Sequence, residues 1–157
     1  MDVSATASSE PKGNRIMTGT TSRDATAPTI VNPATLHDPT PNGYSAIVVA
    51  PAGCRLAFVS GLGGQGERGE LSPAFGDQVA QAYRNLASAL DALGAAPGRV
   101  VKLSVFVVDH DMSKLGVLTQ AVTRMFGERP PAQTLVPLPA LAVDAMLFEV
   151  EAVVALD

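Results

Sequence analysis

The sequence predicts one domain in which two helices cover one face of a β-sheet, with elements in the order β-β-α-β-α-β-β. Two stretches repeat apolar residues at steps of three and four, which is typical of amphipathic helices. A third stretch, near the C-terminus, alternates apolar and polar residues with period two, as a half-buried strand does. Because two helices cover only one face of such a sheet, its other face needs a partner, and another copy of the chain is the simplest one.

Composition narrows the class of protein. The chain has 157 residues, which is enough for one domain with a hydrophobic core. Its formal net charge is -4 and it has no Trp, so it lacks the basic stripe and the stacking platforms of nucleic-acid-binding proteins. Its one cysteine, Cys54, forms no intramolecular disulfide, and His37 and His110 lack metal-ligand spacing. No apolar stretch is long enough for a bilayer or typical of a secretory signal. We therefore expect a cytoplasmic protein without metal or cofactor.

The N-terminal part is predicted to be irregular. Residues 1–28 are rich in Ser, Thr, Ala, Gly and Pro and have little apolar periodicity, which predicts a disordered extension before a domain at 29–157. Residues 29–43 contain three prolines and end in Asn42-Gly43, which favours an irregular lead-in that closes with a turn.

The first two strands are predicted at Ser45–Ala50 and Arg55–Ser60, joined as a hairpin around Pro51-Ala52-Gly53. A glycine-rich segment at 61–66 follows, and we interpret it as a flexible loop. It is not a phosphate-binding P-loop, because the Gly-Lys-Ser/Thr ending is absent.

The first helix is predicted to begin with Ser72 as N-cap and Pro73 as first helical residue, and to stop at Gly94. A buried strand follows at Val100–Val108, and Asp111 is predicted to cap a second helix that Gly127 stops. Each helix carries an apolar stripe. The residues of the two stripes are Phe75, Val79, Ala82, Leu86, Leu90 and Leu93, then Leu115, Leu118, Val122, Met125 and Phe126.

Two strands close the domain, at about Thr134–Pro137 and Met146–Ala155. In the last strand, Glu149 and Glu151 share the face opposite to the apolar residues, roughly 7 Å apart. Carboxylates in such a strand are costly unless they are paired or open to a pocket. They are therefore the best candidates for chemistry, although either one can instead be purely structural.

These elements and their landmarks together resemble the RidA family of enamine and imine deaminases. The resemblance spans about residues 32–155, each landmark is weak by itself, and the specificity lies in their order and spacing. The landmarks are Gly43-Tyr44-Ser45, Val59-Ser60-Gly61, Gln78, Gln81, Asn85, Gly94, Val100-Val101-Lys102, Phe106-Val107, Asp109, Pro131-Ala132 and Glu149-Val150-Glu151-Ala152. The resemblance implies a chorismate-mutase-like α+β fold with a mixed sheet, and a homotrimer with small-molecule pockets between its subunits.

The resemblance also implies roles for particular residues. Glu149 corresponds to the family glutamate that positions the attacking water, so it is the candidate catalytic residue. Tyr44, Ser60 and Gly61 correspond to residues that line the pocket, and no fitting partner makes Ser60 a nucleophile.

Three positions depart from the family pattern. Gln133 stands where the family has an arginine that binds a substrate carboxylate, and a neutral amide in that place costs about 1.5–3 kcal/mol of carboxylate binding. Leu62 replaces the usual glutamine, and Leu135 stands where some active members have cysteine. These departures place the chain with arginine-lacking branches and favour a substrate without a carboxylate.

Two functions of different classes remain open. The first is hydrolysis of a small imine, enamine or related C–N bond, in which Glu149 orients water and Gln133 and backbone groups near Leu135 hold the substrate. The second is a trimer that binds a metabolite or a partner protein without turnover, and it is favoured by the missing arginine. Chorismate rearrangement ranks last, because it follows from fold analogy alone.

Overall fold

The computed structural model describes residues 26–157, so the predicted extension lies outside the described residues except for its last three positions. Six strands and two α-helices form the described chain. They are β1 (Thr29–Val31), β2 (Ile47–Val49), β3 (Arg55–Gly63), α1 (Phe75–Ala92), β4 (Val100–Val108), α2 (Leu115–Phe126), β5 (Ala132–Leu138) and β6 (Phe148–Leu156).

The main sheet has four strands in the order β3-β6-β4-β5, and β1 pairs with β2 in a separate two-stranded sheet. Strand β6 is antiparallel to both of its neighbours, whereas β4 and β5 are parallel. Strands β3, β4 and β5 therefore run in one direction, and each of the two helices crosses back between parallel strands. This is the mixed α+β sheet with two helices that the resemblance implies.

The predicted hairpin at the start of the domain is wrong. The turn itself forms, because the amide of Cys54 donates to the carbonyl of Pro51 over 3.4 Å and Gly53 takes a positive φ of 75°. However, β2 pairs with β1 and not with β3, so the flanking strands belong to different sheets. Strand β1 escaped prediction because its three residues lie among prolines, where periodicity carries no signal.

Strand β3 runs to Gly63, three residues beyond its predicted end, so the glycine-rich segment is partly strand. The loop after it is tied to α1, because the side-chain amide of Asn85 donates to the carbonyls of Gly63 and Gln65, 2.9 Å each. Gly64 lies so close to α1 that a Cβ there would come within 2.6 Å of the Gln78 Cα. The segment is thus held in place by packing and amide contacts.

Helix α1 begins at Phe75, three residues after the predicted N-cap. The hydroxyl of Ser72 accepts from the amide of Ala74 and donates to the carboxylate of Asp77, so Ser72 organises the turn before the helix. The predicted stop is confirmed, since Gly94 follows the helix with a φ of 63°.

Helix α2 is preceded by a 3₁₀ turn at Met112–Lys114, and Asp111 caps that turn by accepting from the amide of Ser113. Gly127 ends the helix with a φ of 57°. Both helices bury their predicted stripes against the sheet, apart from the half-buried positions and Leu93, which is 37% exposed.

The alternation predicted for the last strand is confirmed. The apolar positions of this alternation, from Met146 to Val154, are at most 4% exposed, and all of them except Met146 belong to the hydrophobic core cluster. Phe148 is fully buried between the rings of Phe75 and Tyr83, with centroids 6.3 and 6.1 Å away. Glu149 and Glu151 are half-buried and lie on the face of the sheet that no helix covers.

That uncovered face, which we call the open face, carries large apolar side chains. Leu56 is 48% exposed and Phe58 is 77% exposed, and both lie on β3 across from β6. Burying such side chains in an interface is worth about 25 cal/mol per Å² of apolar surface, so the open face is suited to association.

Candidate functional site

The predicted site residues fall into two groups. Tyr44, Gln133 and Leu135 share a cavity of about 330 Å³ between β5 and α2, where Leu118 and Thr119 form its helical wall. In the register of β4 and β5, Gln133 pairs with Leu103 and Leu135 pairs with Val105. Leu103 and Val105 are core residues on the helix side of the sheet. The first group therefore lies on the helix side of the sheet, and we call it the amide cavity after Gln133.

Gln133 is one of the polar residues that line the amide cavity, together with Asn42, Tyr44 and Thr119. Its Oε1 atom is buried and has no hydrogen-bond partner among the described residues. A buried acceptor without a donor typically costs about 1–3 kcal/mol, so the cavity favours a ligand that brings an N–H or O–H group. An arginine in the same place would offer donors only.

Strand β5 adds backbone groups beside the amide cavity. It is the outer strand of the four-stranded sheet, and among the described residues its outer edge meets another segment only near its start, where Ser45 forms a single bridge with Ala132. The Ser45 amide donates to the carbonyl of Pro131 over 2.9 Å, and its hydroxyl donates to that of Pro130. Beyond this point the edge of β5 offers backbone donors and acceptors that are fixed in position.

The second group lies on the open face and consists of Ser60, Gly61 and Glu149. A Cβ built on Gly61 would collide with the Glu149 carboxyl group, so the missing side chain at this position makes room for that carboxylate. The β3–β6 register shifts between Val59 and Leu62, which places Ser60 and Gly61 at an irregularity of the strand. The strand distortion and the glycine together set where Glu149 lies.

Two polar residues that the sequence analysis did not single out as site candidates, Lys102 and Ser104, lie next to this group. Ser60 shares an open-face cavity of about 300 Å³ with Lys102, Ser104 and Glu151. The ammonium group of Lys102 donates to the hydroxyl of Thr134 over 2.6 Å. Polar residues at a spacing of two in the otherwise apolar strand β4 were the available signal, the same signal that identified the two glutamates.

The two groups do not meet within one chain. In the strand register, Glu149 pairs with Phe106 on the open face, whereas Gln133 pairs with Leu103 on the helix side. The sheet itself and the intervening strand β4 separate them. A substrate that touches both residues therefore needs contributions from two copies of the chain.

Groups that would suit a metal are absent from the described part of the chain, where no three His, Cys, Asp or Glu residues cluster. Nor does any helix between residues 26 and 157 have the length and apolar character needed to cross a bilayer.

Comparison with known families decides the membership of this chain. The family model called Endoribonuclease L-PSP matches residues 35–156, which is most of the folded part. The chain belongs to this family. A search of curated proteins finds no significant match.

The solved structures that are similar to this chain include proteins of the Rid family. It is 30% identical to a Rid-family protein of unknown function, YyfB from Yersinia pestis, over 83% of this chain and 99% of that one, with a TM-score of 0.79. It is 26% identical to RidA from an Antarctic Psychrobacter species over 83% and 98% of the two chains, with a TM-score of 0.60. The RidA resemblance inferred from the sequence is thereby confirmed as family membership.

A third L-PSP relative, a member of the YjgF family from Mycobacterium tuberculosis, is 25% identical over 83% of this chain and all of that one, with a TM-score of 0.56. The family name refers to a ribonuclease, whereas the composition of this chain disfavours a nucleic-acid partner. That expectation, the arginine-lacking branch and the individual site roles stay predictions.

Proposed function

We propose that the protein is a cytoplasmic homotrimer that hydrolyses a small imine, enamine or related C–N compound in pockets between its subunits. The observation that carries the proposal is the division of the candidate site. A carboxylate held against Gly61 faces outward on the open face, and an unpaired amide at Gln133 lies in the cavity beside the free edge of β5. If the open face of one subunit meets the β5 edge of the next, the two groups form one site.

The proposed reaction needs a base and a set of donors. Water adds its oxygen to the imine carbon while its proton passes to the Glu149 carboxylate. Glu149 then returns the proton to the nitrogen, which gives a carbinolamine. Glu149 next transfers the hydroxyl proton of this intermediate to the nitrogen, the C–N bond breaks, and a carbonyl compound and ammonia leave. Backbone amides along the edge of β5 are fixed before the reaction and suit the stabilisation of developing negative charge.

Gln133 defines the class of substrate. Without the guanidinium, a carboxylate loses a charge-assisted pair, which weakens its binding roughly ten- to a hundredfold. The unpaired Oε1 instead accepts from the N–H of an imine, enamine or amide. We therefore expect neutral substrates to be preferred over 2-imino acids.

The experiment compares two glutamates on the same face of the same strand. Neutral imines are generated in situ from amines by an amine oxidase, and 2-imino acids by an amino-acid oxidase, and their loss is followed in a trapping assay. Glu149→Gln should lower kcat at least a hundredfold, as expected for loss of a general base, whereas Glu151→Gln serves as the matched control with activity near that of wild type. Equal activity of wild type and Glu149→Gln would refute the mechanism.

The alternative, a trimer that binds without turnover, makes a different prediction in the same experiment. A ligand that raises the melting temperature and is recovered unchanged would favour binding. Substitution Gln133→Arg separates the cases further. Gain of 2-imino acid hydrolysis would indicate a complete site that lacks only its carboxylate anchor, and no gain with retained ligand binding would favour the binding function.

A further inference from the structure

A third cavity lies on the outer surface of the helix layer, and none of its lining residues belongs to either group of the candidate site. It has a volume of about 240 Å³ and runs between α1 and α2, and we call it the helix groove. Its floor is apolar and includes Val79, Ala121 and Met125. Near the N-terminal ends of the two helices, Gly76 and Val117 line the groove from opposite sides.

The rim of the helix groove is cationic. Arg84 and Arg124 line it from opposite helices, and both are exposed. No Asp or Glu is among the lining residues, and within residues 26–157 the one ion pair joins Arg99 to Asp157 elsewhere. Two cations without a carboxylate are notable in a chain with a net charge of -4.

One of the guanidinium groups is already oriented. Arg84 donates from Nε and from one terminal nitrogen to Oε1 of Gln81, at 3.0 and 2.6 Å. This pair holds the planar group in place and leaves further N–H donors for another acceptor. A planar fork of donors matches a carboxylate in a bidentate manner.

Tyr83 also lines the groove, and its ring stacks on Phe148 of the core. Its side chain is 8% exposed, and its hydroxyl is buried without a hydrogen-bond partner among the described residues. Burial raises the pKa of Tyr83, so the hydroxyl keeps its proton and remains a donor at neutral pH. An acceptor atom from a ligand would satisfy it.

We propose that the helix groove binds a small carboxylate with an apolar body, such as an aromatic or branched monocarboxylate. Arg84 and Arg124 bind the carboxylate, the apolar floor takes the body, and Tyr83 donates to an acceptor of the ligand. Met125 adapts to bodies of different shape, because its thioether side chain is flexible. The groove and the amide cavity are lined by different residues of α2, and the core and the sheet lie between the groove and the open face.

Binding is measured by NMR on protein with labelled methionine methyl groups, with Met125 assigned through Met125→Leu. The probes are benzoate, its neutral analogue benzamide, and acetate, which has the charge without the body. Benzoate should shift the Met125 signal in a saturable way and leave the exposed Met112 unaffected, while benzamide and acetate bind at least tenfold more weakly. No Met125 shift with benzoate, or an equal shift with benzamide, would overturn the proposal.

Charge variants test the rim. Arg84→Gln and Arg124→Gln should each weaken benzoate binding roughly tenfold or more. The matched control is Arg68→Gln, which removes the same charge from an exposed loop outside the groove and should leave the affinity unchanged. An equal loss in all three variants would mean that benzoate responds only to overall charge, and the proposal would fail.

Tyr83→Phe separates a ligand contact from a structural role. The hydroxyl has no partner in the protein, so its removal should leave the melting temperature unchanged or higher while weakening benzoate binding several-fold. Unchanged affinity would exclude Tyr83 from the site, and a large drop in melting temperature would show that its hydroxyl serves the fold.

Discussion

The relation between Gly61 and Glu149 shows how one missing side chain positions a functional group. The Glu149 carboxyl group occupies the space that a Cβ on Gly61 would need. The φ of Gly61 is not in the left-handed region, so the requirement for glycine here is one of space and not of backbone conformation. Substitution at Gly61 therefore acts on Glu149 directly.

Gly61→Ala should displace the Glu149 carboxylate and lower hydrolysis about as much as Glu149→Gln does, with the fold retained. The measurement is kcat together with a crystal structure of the variant. Gly98→Ala is the matched control, because a Cβ there meets nothing and its φ is not positive. Wild-type activity in Gly61→Ala would separate Glu149 from the chemistry.

Two glycines at the ends of α2 give opposite expectations for substitution by alanine. Gly116 is the second residue of α2, its φ is not positive and a Cβ there meets nothing, so Gly116→Ala should stabilise the protein by about 0.4–1 kcal/mol. Gly127 ends α2 with a φ of 57°, so Gly127→Ala should destabilise it by about 1 kcal/mol or more. Urea unfolding of both variants measures the two changes, and a shared sign would contradict the reasoning.

The start of α2 predicts a pH dependence. Hydrogen bonds from the hydroxyl and the amide of Ser113 lower the pKa of Asp111 from its ordinary value of 3.8. A lowered pKa means that this stabilisation is fully present above pH 3.8 and is lost as the pH falls through the folded-state pKa. The advantage in melting temperature of wild type over Asp111→Asn should therefore shrink when the pH is lowered below that value.

Ser113→Ala provides the control for this element, because it removes the hydroxyl that contributes most to the lowered pKa. Its melting temperature should depend on acid less steeply than that of wild type. An advantage of wild type over Asp111→Asn that grows below pH 3.8 would reverse the sign and exclude the explanation.

At the scale of the whole molecule, the proposed assembly depends on the open face. Phe58 is 77% exposed and lies across from the strand that carries both glutamates. An aromatic side chain left in water forfeits about 1.5–3 kcal/mol of burial, which an interface between copies would recover. The proposed site depends on this association, because Gln133 and Glu149 lie on opposite faces in one chain.

Phe58→Glu should therefore shift the protein from trimer toward monomer and abolish hydrolysis while the chain stays folded. Light scattering after gel filtration gives the mass, and circular dichroism checks the fold. Met112→Glu is the matched control, since Met112 is 78% exposed on the loop before α2 and away from the open face. A wild-type protein that is monomeric at assay concentration would refute the assembly.

Local patterns were sufficient for most elements. The period-two alternation from Met146 to Val154 predicted both the strand and its buried face, and the apolar stripe predicted α1 although Ser72 lies outside it. Alternation and stripes are visible in sequence because burial of a strand or helix face acts on nearby residues of one element. Glu149 was also recognisable from the sequence, because it is a polar residue within an otherwise apolar strand.

Strand partners and the side of the sheet that each site residue faces became visible only in the folded arrangement. The pairing of β2 with β1 cannot be predicted from the periodicity of either strand. In the same way, only the fold shows that Gln133 faces the helices while Glu149 faces away from them. Strand pairing and the grouping of distant side chains depend on contacts between residues far apart in the chain. Local sequence therefore specifies what each segment can bury, whereas long-range packing selects which segments and side chains come together.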